Sequence, residues 1–305
     1  MNRILALLFL LVVFQLTASA DWHPVVRDMR GSSWWTGGQT WQIDTQSDGD
    51  VIVANRYGLY ILNAQHKALA DDLPDGAWRA ITPNNHSEVR SSLRIKSRIY
   101  VGGINEFGFI EPDSNGAMTY KCLSDTLPPE IKFLGNVWNI HEVDGIIYYQ
   151  GDGRIVRYVN NNYNEVECGG KVDCSAIIHS VLYVATEEQG VQMLIGSTFM
   201  PVQGAEKLKG KRIKGIHQLY KEWTLFVTAF DGLYLSNGTE IRKIETEADN
   251  ILSTSEVFCS AVSVSRDEPS DGRIALGTVG SGIIEIDFPF NEPLYNNGVS
   301  YIDEF

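Results

Sequence analysis

Carboxylates are the first candidates for chemistry. Glu106 with Asp152, or with Glu187 and Glu188, would supply the paired acids of a glycosidase if folding set them ~5–10 Å apart. The sequence leaves that distance open. Six histidines (His23, His66, His86, His141, His179 and His217) show neither H-x-x-H nor H-E-x-x-H spacing, so no metal or other cofactor is expected. Gly102-Gly103 and Gly280-Ser281-Gly282 precede no helix and read as turns rather than phosphate loops. There is no G-x-S-x-G elbow and no G-x-x-x-x-G-K-[ST] loop. The expectation is a protein that is not an enzyme.

Binding chemistry is better represented. Arg56, Tyr57, Asn105, Glu106, Asp152, Glu187, Gln189 and Asp231 fall in short loops that each follow an apolar strand. Aromatics that stack on sugar faces, beside carboxylates and amides that read hydroxyls, suit a small polar ligand such as an oligosaccharide. Each of these residues is also an ordinary turn former, so the set carries the expectation and no single member does. Trp41, Arg90, Trp138 and His217 occupy comparable positions in another recurring strand. There an arginine suits a carboxylate or uronate, while the tryptophans suit packing between sheets equally well.

What positions these residues is a repeat. Six times an apolar strand is followed by a turn, a β-branched and aromatic strand, a short loop and a further apolar strand. Val51-Ile52-Val53-Ala54, Ile99-Tyr100-Val101-Gly102, Ile146-Ile147-Tyr148-Tyr149, Leu182-Tyr183-Val184-Ala185, Leu225-Phe226-Val227-Thr228 and Ile274-Ala275-Leu276-Gly277 are the second strands. They recur about every 45 residues, the period of a four-stranded propeller blade. Helical periodicity is confined to a turn or two near Ala64–Leu73. The fold class is therefore all-β: a β-propeller of antiparallel four-stranded blades, with six repeats visible and a seventh partial or missing. In such a disc the loops after the second strand share one rim, and the first strands line the channel.

The repeat resembles the two-component regulator propeller repeat. Trp41-Gln42-Ile43 with Asp48-Gly49 and Gly58-Leu59-Tyr60 carry the likeness, as do Ile274-Ala275-Leu276-Gly277-Thr278 with Gly282-Ile283. Ile99 to Gly108, and the run from Tyr120 through Leu123-Ser124 to Val137-Trp138, resemble bacterial periplasmic sensors that carry this propeller. The likeness spans residues 34–290. It implies a seven-bladed ring that senses a polysaccharide-derived oligosaccharide and switches a kinase or transcriptional output by altering how two chains associate. A homodimer is the partner so implied. Contact with a membrane would run through a downstream segment that this sequence lacks. The competing expectations are a propeller glycoside hydrolase or lyase and an envelope protein-interaction scaffold. The S-x-D-x-G-x-T-W box of sialidase-like propellers is absent.

Composition agrees with an exported binding module. The 305 residues are 44% hydrophobic, enough to fill a core, and 38 acidic against 25 basic residues exclude nucleic acid as a natural partner. Residues 1–20 read as a signal peptide: Arg3, the apolar run Ile4–Leu16, then Ala18-Ser19-Ala20 before a cleavage point. The exported chain would run from Asp21 to Phe305 in the periplasm, as a single propeller domain. Tyr301–Phe305 fall where a further blade would begin, and residues 22–40 are expected to close the ring against the C-terminal segment. Cys168 and Cys174 are close enough to bridge, although the loop would be very short; buried free thiols are the expectation for at least two of the four cysteines. Asn85-His86-Ser87 and Asn237-Gly238-Thr239 read as turns.

Overall fold

The computed structural model describes residues 38–63, 78–84, 86, 88–219, 223–263, 272–288 and 301–304. Its strands form six antiparallel four-stranded sheets, each wound from consecutive strands in chain order. The first blade is β1 (Thr40–Thr45), β2 (Val51–Asn55), β3 (Gly58–Leu62) and β4 (Trp78–Ile81). The second is β5 (Ser91–Ile95), β6 (Arg98–Gly102), β7 (Phe107–Pro112) and β8 (Met118–Cys122). The third is β9 (Asn139–Val143), β10 (Ile146–Gln150), β11 (Ile155–Val159) and β12 (Asn162–Val166). The fourth is β13 (Val172–Ile178), β14 (Val181–Thr186), β15 (Gly190–Ile195) and β16 (Thr198–Pro201). The fifth is β17 (Ile213–Gln218), β18 (Thr224–Thr228), β19 (Leu233–Ser236) and β20 (Ile241–Ile244). The sixth is β21 (Val257–Ser263), β22 (Gly272–Thr278), β23 (Ile283–Phe288) and β24 (Tyr301–Glu304). The architecture is a six-bladed β-propeller.

One expectation about the blade count changes. Tyr301–Glu304 do not open a seventh blade; they pair with β23 as the outer strand of the sixth, Ile302 opposite Ile286. The pairing expected of residues 22–40, the helical turn expected near Ala64–Leu73 and the signal peptide lie outside the described residues, apart from Gly38, Gln39 and Thr40, the last of which opens β1.

Alternation with period two sends successive side chains to opposite blade faces, and each face is buried against the next blade. Ile52, Ala54 and Leu59 of the first blade meet Ile99, Val101 and Ile110 of the second. Phe107 and Phe109 meet Ile147 and Tyr149 of the third, where the Phe107 and Tyr149 rings lie 4.2 Å apart. Leu225, Val227, Leu233 and Leu235 of the fifth meet Ile274, Leu276, Ile284 and Ile286 of the sixth. The far face of the sixth blade is different. Where the fifth has Leu225, Val227 and Leu235, the sixth has Ala275, Gly277 and Glu285, and its Ile283 is 63% exposed.

Polar struts join the inner strands. His141 Nε2 donates to Ser175 Oγ at 2.7 Å, and Ser175 donates onward to Gln150 Oε1. His217 Nε2 stands 2.8 Å from Ser260 Oγ in the same relation between the fifth and sixth blades. Burial pushes the His141 imidazole down to about 4, so it is neutral in the folded state at neutral pH. An unfolded histidine takes up its proton near pH 6.5, so acid favours unfolding from there down to about 4, and the effect then levels off. We expect a loss of about 3 kcal/mol over that interval, read as a falling denaturant midpoint between pH 7 and pH 4. His141→Gln should flatten that dependence; an unchanged slope would place the titration elsewhere.

All four cysteines are free thiols. Cys168 is buried, and burial raises both its thiol and that of Cys174 above the ordinary range. The Asn237 side chain accepts backbone N–H groups of Thr239 and Glu240, each at 3.0 Å, which makes that sequon a turn. Of the other sequon, only His86 is described.

Candidate functional site

The inner strand of each blade begins with one irregularity. In β1, β13, β17 and β21 the pairing slips by one residue, leaving Trp41, Asp173, Lys214 and Phe258 as bulges. In the second and third blades Arg90 and Trp138 stand at the same point, their N–H groups donating to Gly102 O at 2.8 Å and Gln150 O at 2.9 Å. A bulge re-aims its side chain out of the pleat, here away from both packed faces and towards the channel mouth. Trp41 and Trp138 demonstrate the direction. They come from the first and third blades, yet their rings meet edge-on 5.9 Å apart, across the second.

Arg90 of that second blade lies against both rings. Its Cζ is 3.6 Å from the centre of the Trp41 ring and 5.1 Å from that of Trp138, a double cation–π arrangement. Its Nη2 is 2.8 Å from Glu88 Oε2, but that oxygen has no aligned hydrogen bond, so the contact is one of charge rather than of direction. Arg56 Nε approaches the other Glu88 oxygen at 3.5 Å. Arg90 Nε and Nη1 and Trp41 Nε1 are buried with no hydrogen-bond partner among the described residues. Burial lowers the affinity of the Arg90 guanidinium for its proton, and Glu88 and Asp152 oppose that shift. The group remains a cation at any physiological pH.

Asp152 fixes the other wall. Its Oδ1 accepts from Trp138 Nε1 at 2.7 Å, and its Oδ2 accepts from Asn136 N and Nδ2 at 3.0 and 3.1 Å. On the far side of the ring Lys214 pairs with Glu256 at 3.2 Å and lies 5.9 Å from the ring centre of Phe258, which is 58% exposed. Asp173 Oδ2 is buried without a hydrogen-bond partner, and burial raises that carboxyl above the usual range. The mouth thus combines aromatic faces, two cations and unspent hydrogen-bonding atoms.

The residues expected from sequence divide sharply. Arg90, Trp138 and Asp152 come together, with Arg56 joined to them through Glu88. Tyr57 is half exposed on the same rim, its N–H donating to Asn55 Oδ1. The remaining rim residues brace loops. Asn105 exchanges hydrogen bonds with Gly135, Oδ1 accepting at 2.8 Å. Glu106 is buried and accepts from Asn84 N at 3.0 Å, which fastens the connection between the first two blades. Gln189 donates to Gly169 O at 3.4 Å, and the carbonyl of Glu187 accepts from Gly210. Asp231 gathers Lys211, Lys243 and Tyr234; burial opposes its charge, but those three partners outweigh it and hold the carboxyl far below the usual range. His217 is an inter-blade strut, and the mouth position of the fifth blade belongs to Lys214. Glu88, Asp173, Lys214 and Phe258 escaped the sequence reading. The signal for the last three is the β-branched residue that precedes each mouth position: Thr40, Val89, Val137, Val172, Ile213 and Val257.

Among the described residues no group of acidic, histidine and cysteine side chains is placed to hold a metal ion, and no helix is long and apolar enough to cross a membrane. No protein-family model and no curated protein matches the chain. Solved structures do. The WD40 β-propeller domain of Doa1 superposes with a TM-score of 0.59 at 10% identity, over 88% of this chain and 83% of that one. The extracellular domain of a putative hybrid two component system from B. thetaiotaomicron gives 0.54 at 17% identity, over 83% of this chain. Only 34% of that domain is covered, so this chain spans about a third of its length. The computationally designed protein Ika8 gives 0.53 at 10% identity, over 82% of this chain and 71% of that one. At these identities the likeness is one of fold.

Proposed function

We propose that the chain is the ligand-sensing propeller of a periplasmic regulatory system and that the ring of bulged residues at the channel mouth binds an oligosaccharide derived from a polysaccharide. The observation that carries this reading is Arg90, a cation set against the faces of two indoles with two buried nitrogens left without acceptors. A core arginine with no task would be costly to keep in this state, because an unmet buried donor costs about 1–3 kcal/mol. The 36% exposed ring of Trp138 offers an apolar platform for a sugar face, and the Asp152 carboxylate locks its orientation. The fold shared with the extracellular domain of a putative hybrid two component system supports a sensor's role.

A thermal-shift screen against an oligosaccharide panel tests the reading. A cognate ligand at a hundred times its Kd should raise Tm by about 5 °C, and no reducing ends should appear on prolonged incubation. Release of sugar would replace a sensor by a glycoside hydrolase or lyase. Indifference to the whole panel would end the sugar-binding account.

A further inference from the structure

Acceptors are short around Arg90. Two guanidinium groups, Arg56 and Arg90, share the single carboxylate of Glu88, and both oxygens of Asp152 are already committed to Trp138 and Asn136. Arg90 Nη2 faces Glu88, whereas Nε and Nη1 face nothing that accepts. The two indoles shut water away from these nitrogens. The indoles are not held alike. Trp138 is pinned by its bond to Asp152, while Trp41 Nε1 has no partner, so no hydrogen bond from its indole opposes a swing of the ring.

We infer that the mouth is selective for an acidic sugar: a uronate-type carboxylate displaces the Trp41 ring, accepts from Arg90 on the Nη1 side opposite Glu88, and takes the freed Trp41 N–H as a further donor. This inference rests on the reading of the mouth as the oligosaccharide site. A hydroxyl can accept from the same nitrogens, but a carboxylate does so with charge assistance, which makes each bond roughly twice as strong. The corresponding methyl ester keeps the shape and loses the charge. The difference expected for one such interaction is about tenfold to a hundredfold in affinity.

The experiment uses the whole exported chain and oligomers of galacturonate, glucuronate and mannuronate, their methyl esters, and neutral oligosaccharides of matched length. Affinity is read by calorimetry, and tryptophan fluorescence reports movement of Trp41. At least one acid should bind about tenfold or more tighter than its ester, with a fluorescence change and a loss of affinity as salt is raised. Arg90→Gln should erase the preference, so that acid and ester bind this variant with equal affinity. Arg90→Lys keeps the charge without the planar fork and should fall between that variant and the parent; it also serves as the second variant if Arg90→Gln melts early. Equal binding of acid and ester, or an acid preference that survives in Arg90→Gln, would overturn the inference while leaving an oligosaccharide sensor intact. Neutral binding with no acid bound would do the same. If no saccharide binds at all, the functional reading falls with it.

Discussion

Tyr149→Ala should destabilise the folded chain by about 3–5 kcal/mol, the range for emptying a large aromatic site in a packed core. Tyr149 is completely buried between the second and third blades, in the largest aromatic cluster among the described residues. Its ring packs on Phe107 and meets Tyr100 edge-on at 6.5 Å, and its hydroxyl donates to Gly108 O at 3.0 Å. Tyr149→Phe keeps the ring and removes only the hydroxyl, leaving the Gly108 carbonyl short of a partner in a buried place. That variant should cost about 1–2 kcal/mol. Both values come from denaturant titration, and a loss below 1 kcal/mol for the alanine variant would contradict the packing described for these two blades.

Gly108→Ala should cost nearly as much, about 3 kcal/mol, from a single added methyl group. A Cβ at this position would lie 2.1 Å from the backbone oxygen of Lys121 and 3.0 Å from the Tyr120 hydroxyl. The Lys121 oxygen belongs to the ladder between β7 and β8, where Gly108 faces Cys122 and Phe109 faces Lys121. Relief therefore requires the two outer strands of the blade to part, which no side-chain rotation can replace. Because Gly108 also receives the Tyr149 hydroxyl, the double variant should be less destabilised than the sum of the two single losses. Simple additivity, or a Gly108→Ala variant as stable as the parent, would show that the strands do not approach as closely as the geometry states.

The blades were legible because turns and alternation repeat. Asp144-Gly145 and the run Ile146–Gln150 announce a hairpin on sight, and both its turn residues do take positive φ. His179-Ser180 makes the equivalent two-residue turn in the fourth blade, with φ of 48° and 63°, without any glycine to signal it. The outer strand of the sixth blade was misread because Tyr301–Glu304 stand far along the chain from β23, and only pairing in space joins them. The mouth was half legible. Arg90, Trp41 and Trp138 sit where tryptophans and arginine before apolar strands suggested. In the fifth blade the bulge at Lys214 breaks the period of two, and counting along the strand lands on His217, three residues too far. The other rim residues stay outside this cluster for another reason. Glu106 and Asp231 look free in sequence, but their partners Asn84, Lys211 and Lys243 are supplied by other strands and connections.

The account of the site depends on a ligand seated at the bulge ring rather than on the rim loops or the outer strands. Calorimetric titration of a ligand from the oligosaccharide panel into the parent chain, Trp41→Ala, Trp138→Ala and Met200→Ser tests this most directly. Met200 is an exposed residue of the outer strand β16, well away from the mouth elements, and serves as the comparison. The account predicts a loss of tenfold or more in affinity for each tryptophan variant, equal to at least about 1.4 kcal/mol, with Met200→Ser binding as the parent does. Four proteins that fold alike and bind the sugar with one affinity would contradict it.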